Sequence, residues 1–313
     1  MSMSPDLSVV ICTYNRAGTL PECLDRLSAQ DFPSERFEIV LVDNNSTDET
    51  GEIARNFRES HPGFPFRYVV ETNQGLSFAR NRGIREATGS VVVFIDDDAF
   101  VRAGYLEELA GFFERHTDAA GCGGRIFPRF ESKRPRWMSS FLVPLTSSLD
   151  MGDRLRLFPP RKFPVGANMA VRRDVFARYG DFNVRLGRTG NRLEGAEEKD
   201  LFYRLQRGKE KIYYLPAATV DHFVPDKRLT FDFFRRQALG IGYSEKVRAC
   251  SVSGTEYLGS LWREGIKWGA STVLFFFYFL SLRPAAAFRL LQFRWYVTKG
   301  LVSRLRNAGK TAF

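Results

Sequence analysis

The stretch Val91-Val92-Val93-Phe94-Ile95-Asp96-Asp97-Asp98 decides how the chain is read. Five consecutive apolar residues, rich in β-branched types, read as a strand buried on both faces, and that strand runs directly into three carboxylates. In an open α/β sheet, ligands bind beyond the carboxyl ends of the strands, so acids placed here face a crevice. Alternate residues of an extended segment point the same way, which lets Asp96 and Asp98 converge while Asp97 faces elsewhere. Two hard oxygen donors at such an edge suit Mg²⁺ or Mn²⁺ shared with a substrate phosphate. The plain alternative is a solvated turn after a strand.

Upstream, strand and helix patterns alternate. Ser8-Val9-Val10-Ile11-Cys12 is an apolar run. Thr19-Leu20-Pro21-Glu22 follows, spaced as a capping box, and Leu20, Cys23, Leu24 and Leu27 then recur at helical spacing. Phe37 to Val42 forms a second strand, and Ser46-Thr47-Asp48-Glu49 caps a helix carrying Ile53, Ala54 and Phe57. A strand from Phe66 to Val70, a helix from Leu76 to Ala87 and the strand at Val91 complete the series. Short connections between alternating elements imply a Rossmann-like, mostly parallel sheet covered by helices, an α/β fold. Between Phe127 and Arg161 the pattern fails, as expected of a functional lid or a disordered segment. It resumes with a strand-like Pro164 to Val171, a helix from Glu197 to Gln206 and a strand from Lys211 to Leu215.

The chain has 313 residues, 44% hydrophobic and 26% charged, enough for one large domain with an appendage. Its four cysteines show neither CxxC spacing nor a neighbouring His cluster, so neither a zinc site nor a disulfide framework is indicated and a reducing compartment fits. Met1 to Asp6 lack a basic segment followed by an apolar stretch, so no signal peptide is expected and the catalytic part is placed in the cytoplasm. The net charge of +10 is uneven: Arg283, Arg289, Arg294, Lys299, Arg304, Arg306 and Lys310 share a tail without acids. A local anionic partner follows, and nucleic acid is not expected as a partner.

Residues 1–230 are read as the catalytic domain and 231–313 as a helical, aromatic and basic region. The uncharged run from Trp268 to Leu282 is too short for a confident membrane span, which needs about 20 residues. Aromatics and arginines beyond it recur at helical spacing, matching an in-plane anchor on the anionic inner face of the cell membrane. A helical layer packed on the domain, or an oligomer interface, is the alternative.

Other acids and cations extend the candidate site. Asp43 ends the second strand; it either caps the following helix or, with Thr13 and Tyr14, lines a pocket for a nucleotide base. Arg80 and Arg82 meet base, ribose or phosphate, or lie on a solvated helix face. Glu197 and Glu198 open a helix, where acids also complement the helix dipole. His222 is a structural histidine or a metal donor.

Ser8-Val9-Val10-Ile11-Cys12-Thr13-Tyr14-Asn15, Val42-Asp43-Asn44-Asn45-Ser46-Thr47-Asp48, Asn73-Gln74-Gly75-Leu76-Ser77-Phe78-Ala79-Arg80-Asn81 and Phe94-Ile95-Asp96-Asp97-Asp98 resemble the ordered motifs of family 2 glycosyltransferases with the GT-A fold. The similarity continues through Gly166-Ala167-Asn168, Glu197-Glu198-Lys199-Asp200-Leu201 and Asp221-His222-Phe223, covering residues 7 to 225. The resemblance implies an inverting transferase that uses a nucleotide-diphospho sugar, most often a UDP-sugar, with Mg²⁺ or Mn²⁺, and a glycan or lipid-linked acceptor. By position it assigns Thr13, Tyr14, Asp43 and Arg80 to the nucleotide, Asp96 to the ribose side, with Asp97 beside it, and Asp98 to the metal, with Asp96 and His222 as further donors. It assigns the catalytic base to Glu198 or Glu197; the family's pair usually ends in Asp, and here it ends in Glu. A sugar nucleotidyltransferase would need a glycine-rich phosphate loop after the first strand, which Thr13-Tyr14-Asn15-Arg16-Ala17-Gly18 lacks. A non-catalytic nucleotide-sugar binding or scaffold protein would share most of these residues.

Overall fold

The computed structural model describes residues 5–190 and 193–305. The tail cations Arg306 and Lys310 lie outside the described residues. The strands are β1 (Leu7–Thr13), β2 (Phe37–Asp43), β3 (Phe66–Val70), β4 (Val91–Asp96), β5 (Ala99–Val101), β6 (Ala119–Phe130), β7 (Arg156–Leu157), β8 (Asn168–Arg172) and β9 (Lys211–Val224). The helices are α1 (Leu20–Ser28), α2 (Thr50–Ser60), α3 (Leu76–Glu86), α4 (Tyr105–Arg115), α5 (Arg173–Tyr179), α6 (Glu197–Arg207), α7 (Phe231–Val252), α8 (Gly254–Leu280) and α9 (Pro284–Val302).

The described residues fall into two compact units, one drawn from Met1–Ser132, Val143–Val184 and Glu197–Pro225, the other from Lys133–Leu142, Arg185–Ala196 and Asp226–Phe313. The second unit therefore takes up two stretches that precede residue 231 in sequence.

In the first unit the strand order is β3-β2-β1-β4-β8-β6-β9-β5. The expected parallel arrangement holds for β3, β2, β1 and β4. Beyond β4 the sheet is mixed, because β8 inserts antiparallel to both β4 and β6. Both faces of β1, β2 and β4 are buried, as their unbroken apolar runs require, while the edge strand β3 is half-buried. Leu7, Val9 and Ile11 of β1 face a core with α1, α2 and α4. Val10, with Val40 and Val42 of β2, faces the core beneath α3, α5 and α6.

Several local expectations change. Thr19 occupies the N-cap of α1 without a side-chain cap bond, and Glu22 turns outward to Arg26 and Arg129 instead of reaching back. Helix α2 starts at Thr50, whose N–H donates to Asp48 at 3.1 Å. Phe127 to Phe130 belong to β6, because they pair in register with Asp221 to Val224 of β9. Strand β9 is far longer than Lys211 to Leu215: its pairing with β6 shifts register between Leu215 and Thr219 and then resumes. The apolar run at Trp268 is the end of the longer α8, and among the described residues no helix is long and apolar enough to cross a membrane.

Helix α3 lies unusually close to the sheet. A Cβ at Gly83 would stand 2.3 Å from Cγ1 of the buried Val10. We expect Gly83→Ala to lower stability by about 1–3 kcal/mol through overpacking, although alanine favours helix by about 1 kcal/mol. Urea unfolding of the two proteins measures the difference, and an unchanged or raised midpoint would contradict the close packing.

Candidate active site

Strand register builds the site. Thr13 pairs with Asp43 and Cys12 with Asp96, so the carboxyl ends of β1, β2 and β4 align at one edge. Asp97 and Asp98 turn the chain into β5, where Ala99 pairs with His222 of β9. The Phe223 N–H donates to the Asp98 carbonyl at 2.7 Å, which fixes that turn. Asp96, Asp98 and His222 are thereby gathered, one potential donor atom of each within 4.8 Å of the others. Nε2 of His222 lies 3.1 Å from Oδ1 of Asp98, and both side chains are buried. Nδ1 of His222 is buried without a hydrogen-bond partner. Two carboxylates and an imidazole at this spacing fit a small divalent cation that takes oxygen and nitrogen donors.

The turn after β4, and not the alternation of an extended strand, sets Asp98 beside Asp96 and leaves out Asp97. The Asp97 carboxyl is pushed up to about 7 by burial, opposed by the charge of Arg16 and reinforced by Asp98. Arg16 was not anticipated. Its guanidinium lies 3.8 Å from Asp97 and 3.6 Å from Asp98, spanning two of the three acids. The only sequence signal was a lone cation in the turn leaving β1. That turn is held by Asn15, which has a left-handed φ of 52° and accepts the Thr47 N–H at 2.8 Å.

Arg80, expected to hold the nucleotide, is engaged within the protein. Its guanidinium is buried, 2.8 Å from Glu197 and 3.6 Å from Asp96, and lies over the rings of Phe94 and Phe182. Gly166 makes the room: a Cβ there would stand 2.3 Å from Nη2 of Arg80. Arg82 takes the solvated alternative and pairs with Glu86. Asn168 is also structural, accepting from the Tyr105 hydroxyl and donating to the carbonyls of Arg125 and Ala218.

The two glutamates separate by environment. Adjacent helix positions point about 100° apart, and it is Glu197 that reaches Arg80. Oε2 of Glu197 and Oε2 of Glu198 are both buried without hydrogen-bond partners. Burial, helped by the charge of Glu197 and resisted by Arg80, pushes the Glu198 carboxyl up to about 8. The preceding Ala196 holds φ at 75°, a left-handed conformation costing about 1–2 kcal/mol for a residue with a Cβ. Strain of this kind collects where function over-determines the backbone.

At the β2 edge Asp43 does not cap α2, whose N-cap is Glu49; its Oδ1 accepts the Ser46 N–H of the intervening loop at 2.8 Å, and Oδ2 accepts the Tyr68 hydroxyl at 2.7 Å. Thr13 is buried beside it, and the Tyr14 ring is exposed.

A mixed sheet with acids and a histidine at its carboxyl edge is the architecture of a GT-A glycosyltransferase. The chain belongs to glycosyl transferase family 2, whose profile matches residues 8–180. It is 28% identical over 244 residues to the glucosyl-dolichyl phosphate glucuronosyltransferase of Haloferax volcanii, spanning 77% of this chain and 76% of that protein. It is 34% identical over 185 residues to a PGL/p-HBAD biosynthesis glycosyltransferase of Mycobacterium tuberculosis, covering 58% of this chain and 65% of the relative. A mannosyltransferase of Pyrobaculum calidifontis, solved with GDP-Man and Mn²⁺, superposes with a TM-score of 0.62 at 21% identity, over 96% of this chain and 88% of its own. The chain is therefore a glycosyltransferase with a GT-A fold.

The raised Glu198 carboxyl has a stability consequence. An unfolded glutamate loses its proton near 4.5, whereas the folded one keeps it to about 8. Between those values the native state binds more protons than the unfolded state, so stability falls as pH rises. We expect the melting temperature of the metal-free protein to drop between about pH 5 and pH 8, and Glu198→Gln to flatten that slope. Thermal melts across this range test it, and parallel slopes would contradict the buried-acid reading.

Proposed function

We propose that the chain transfers a sugar, with inversion, from a nucleotide-diphospho sugar to a glycan or lipid-linked acceptor in cell-surface polysaccharide or glycoconjugate synthesis, working on the inner face of the cell membrane. The observation that carries this reading is the Arg80 bridge, which joins Asp96 of the cation-type group to Glu197 of the glutamate pair. A group able to neutralise a leaving diphosphate, at the end of β4, and a pair able to accept a proton, at the start of α6, are joined by one guanidinium. UDP-sugars are the first donors to test: a Staphylococcus aureus TarS structure of similar fold was solved with UDP. The Haloferax relative's name, which specifies a dolichyl phosphate-linked sugar, favours a lipid-linked acceptor.

In this reading Thr13, Tyr14 and Asp43 line the base pocket. Asp98, Asp96 and His222 hold Mg²⁺ or Mn²⁺, which when bound supplies positive charge where the departing diphosphate becomes negative. Arg16, seated over Asp97 and Asp98, adds a guanidinium fork suited to phosphate oxygens. Glu198 in its ionised form takes the proton of the attacking acceptor hydroxyl; its raised affinity for protons makes that form a stronger base than an exposed glutamate and makes turnover rise as pH approaches 8. Arg80 holds Glu197 in place and leaves Glu198 as the carboxylate without a cationic partner at contact distance.

Nucleotide release from a panel of UDP-, GDP- and dTDP-sugars with Mn²⁺ or Mg²⁺ tests the reading. Asp98→Ala is expected to stay folded and to lose about 10²–10³-fold of metal-dependent turnover. Glu198→Gln is expected to lose about 10²–10⁴-fold in kcat while its donor Kd stays unchanged. A folded Asp98→Ala protein with full activity would remove the metal assignment. Donor binding without turnover by the unaltered chain, across the whole panel with candidate acceptors, would make it a nucleotide-sugar scaffold.

A further inference from the structure

Helix α8 is amphipathic in the wrong sense for water. Leu258, Trp262, Ile266, Val273, Phe276 and Leu280 are each between 57% and 79% exposed. At 100° per residue they fall within a sector of about 80° along roughly 33 Å of helix. The buried residues of α8 are Ser260, Glu264, Ser271 and Tyr278, centred about 180° from that stripe. The polar face is the packed one. Glu264 meets Arg294 at 3.2 Å, Ser260 donates to Glu245 at 2.8 Å, and the Trp268 indole N–H donates to Thr298 at 2.9 Å. A helix in water buries its apolar side; this one has spent its polar side on its neighbours and left an apolar stripe uncovered.

The stripe continues onto α9. Phe288, 54% exposed, makes edge contacts with Phe275 and Phe279 of α8. Trp295 and Val302 follow Phe288 at seven-residue spacing on the exposed face of α9, with Lys299 among them. No Asp or Glu occurs in the chain after Glu264. Arg283, Lys299 and Arg304 are all exposed.

We propose that this face docks on an anionic lipid bilayer, with α8 lying in the plane of the interface and its stripe entering the boundary between headgroups and acyl chains. Apolar and aromatic side chains interleaved with cations, on helices that do not cross, match that interface in both polarity and charge. Charge selects lipid over a second copy of the chain: pairing two such faces would oppose Arg283, Lys299 and Arg304 with their own counterparts and no acid to neutralise them. The inference rests on the membrane-side reading of the function and names the surface that carries it.

Co-sedimentation of the full chain with vesicles tests the docking without donor or acceptor, so failure here leaves the transferase reading standing, and failure of turnover leaves this one standing. Binding is expected to vesicles of phosphatidylcholine mixed with phosphatidylglycerol, to weaken with added salt, and to be much lower on phosphatidylcholine alone. The double variant Val273→Glu, Phe276→Glu, at two exposed positions, is expected to keep the far-ultraviolet dichroism of the unaltered chain and to lose about ten-fold or more of its vesicle binding. Failure of the unaltered chain to bind, or equal binding by the variant, would overturn the proposal. So would a dimer, seen by light scattering, that the variant dissociates.

Discussion

Arg80 is the residue on which the site is built. Burial alone would favour loss of its proton, and the charges of Glu197 and Asp96 hold it protonated. Removing either acid would leave a charge in the core with reduced compensation, a loss of about 3–5 kcal/mol for a broken buried pair. The pairing also has reach. Asp96 ends β4 and Glu197 opens α6, so a single guanidinium ties together segments about a hundred residues apart in sequence. Two glycines permit it: Gly83 lets α3 settle on β1, and Gly166 clears the space that the guanidinium fills. Lysine would not substitute, because a single ammonium cannot present separate donors to two carboxylates in a planar fork.

Much of this was legible in the sequence because strand ends announce themselves. An apolar run that stops at a carboxylate fixed β4 and Asp96, and the same logic fixed β2 and Asp43. Asp96 and Asp98 do converge, but through the turn that follows β4 and not through the alternation of an extended chain. What stayed hidden depended on partners far along the chain. Nothing local separates Arg80 from Arg82, two residues apart on one helix; the distinction is made by Glu197 and by the space above Gly166. His222 falls beyond the strand legible from Lys211 to Leu215, because Pro216 follows it and the pairing shifts register there; the strand resumes and carries the histidine alongside Ala99. Arg16 had no signature, since a cation in a turn is usually solvated.

The second unit departs from the first in one helix, α8. The first unit buries its apolar runs between helices in the ordinary way. In the second, α7 and α9 also bury apolar side chains such as Phe234, Leu290, Phe293 and Val297, but these are joined by polar and ionic contacts, including the buried Arg248 with Glu245 and Glu256, and by glycines that let α7 and α9 touch backbone to backbone at Gly242 and Gly300. Among the described residues, helix α8 alone reverses the usual arrangement, with a polar buried face and an apolar exposed stripe. The sequence showed the apolar run and the acid-free tail, and their meeting on one exposed surface emerges only when the helices are formed.

The central claim is that Asp96, Asp98 and His222 act together as a cation site at the edge where the sugar donor binds. Electron spin echo spectroscopy of Mn²⁺ bound to the full chain in the presence of UDP tests this most directly, because it reads nitrogen ligands of the ion without requiring turnover. The account predicts the coupling of one imidazole nitrogen, lost in His222→Gln while the chain stays folded. An ion with no imidazole coupling, or a coupling that survives in His222→Gln and so belongs to His61 or His116, would contradict it.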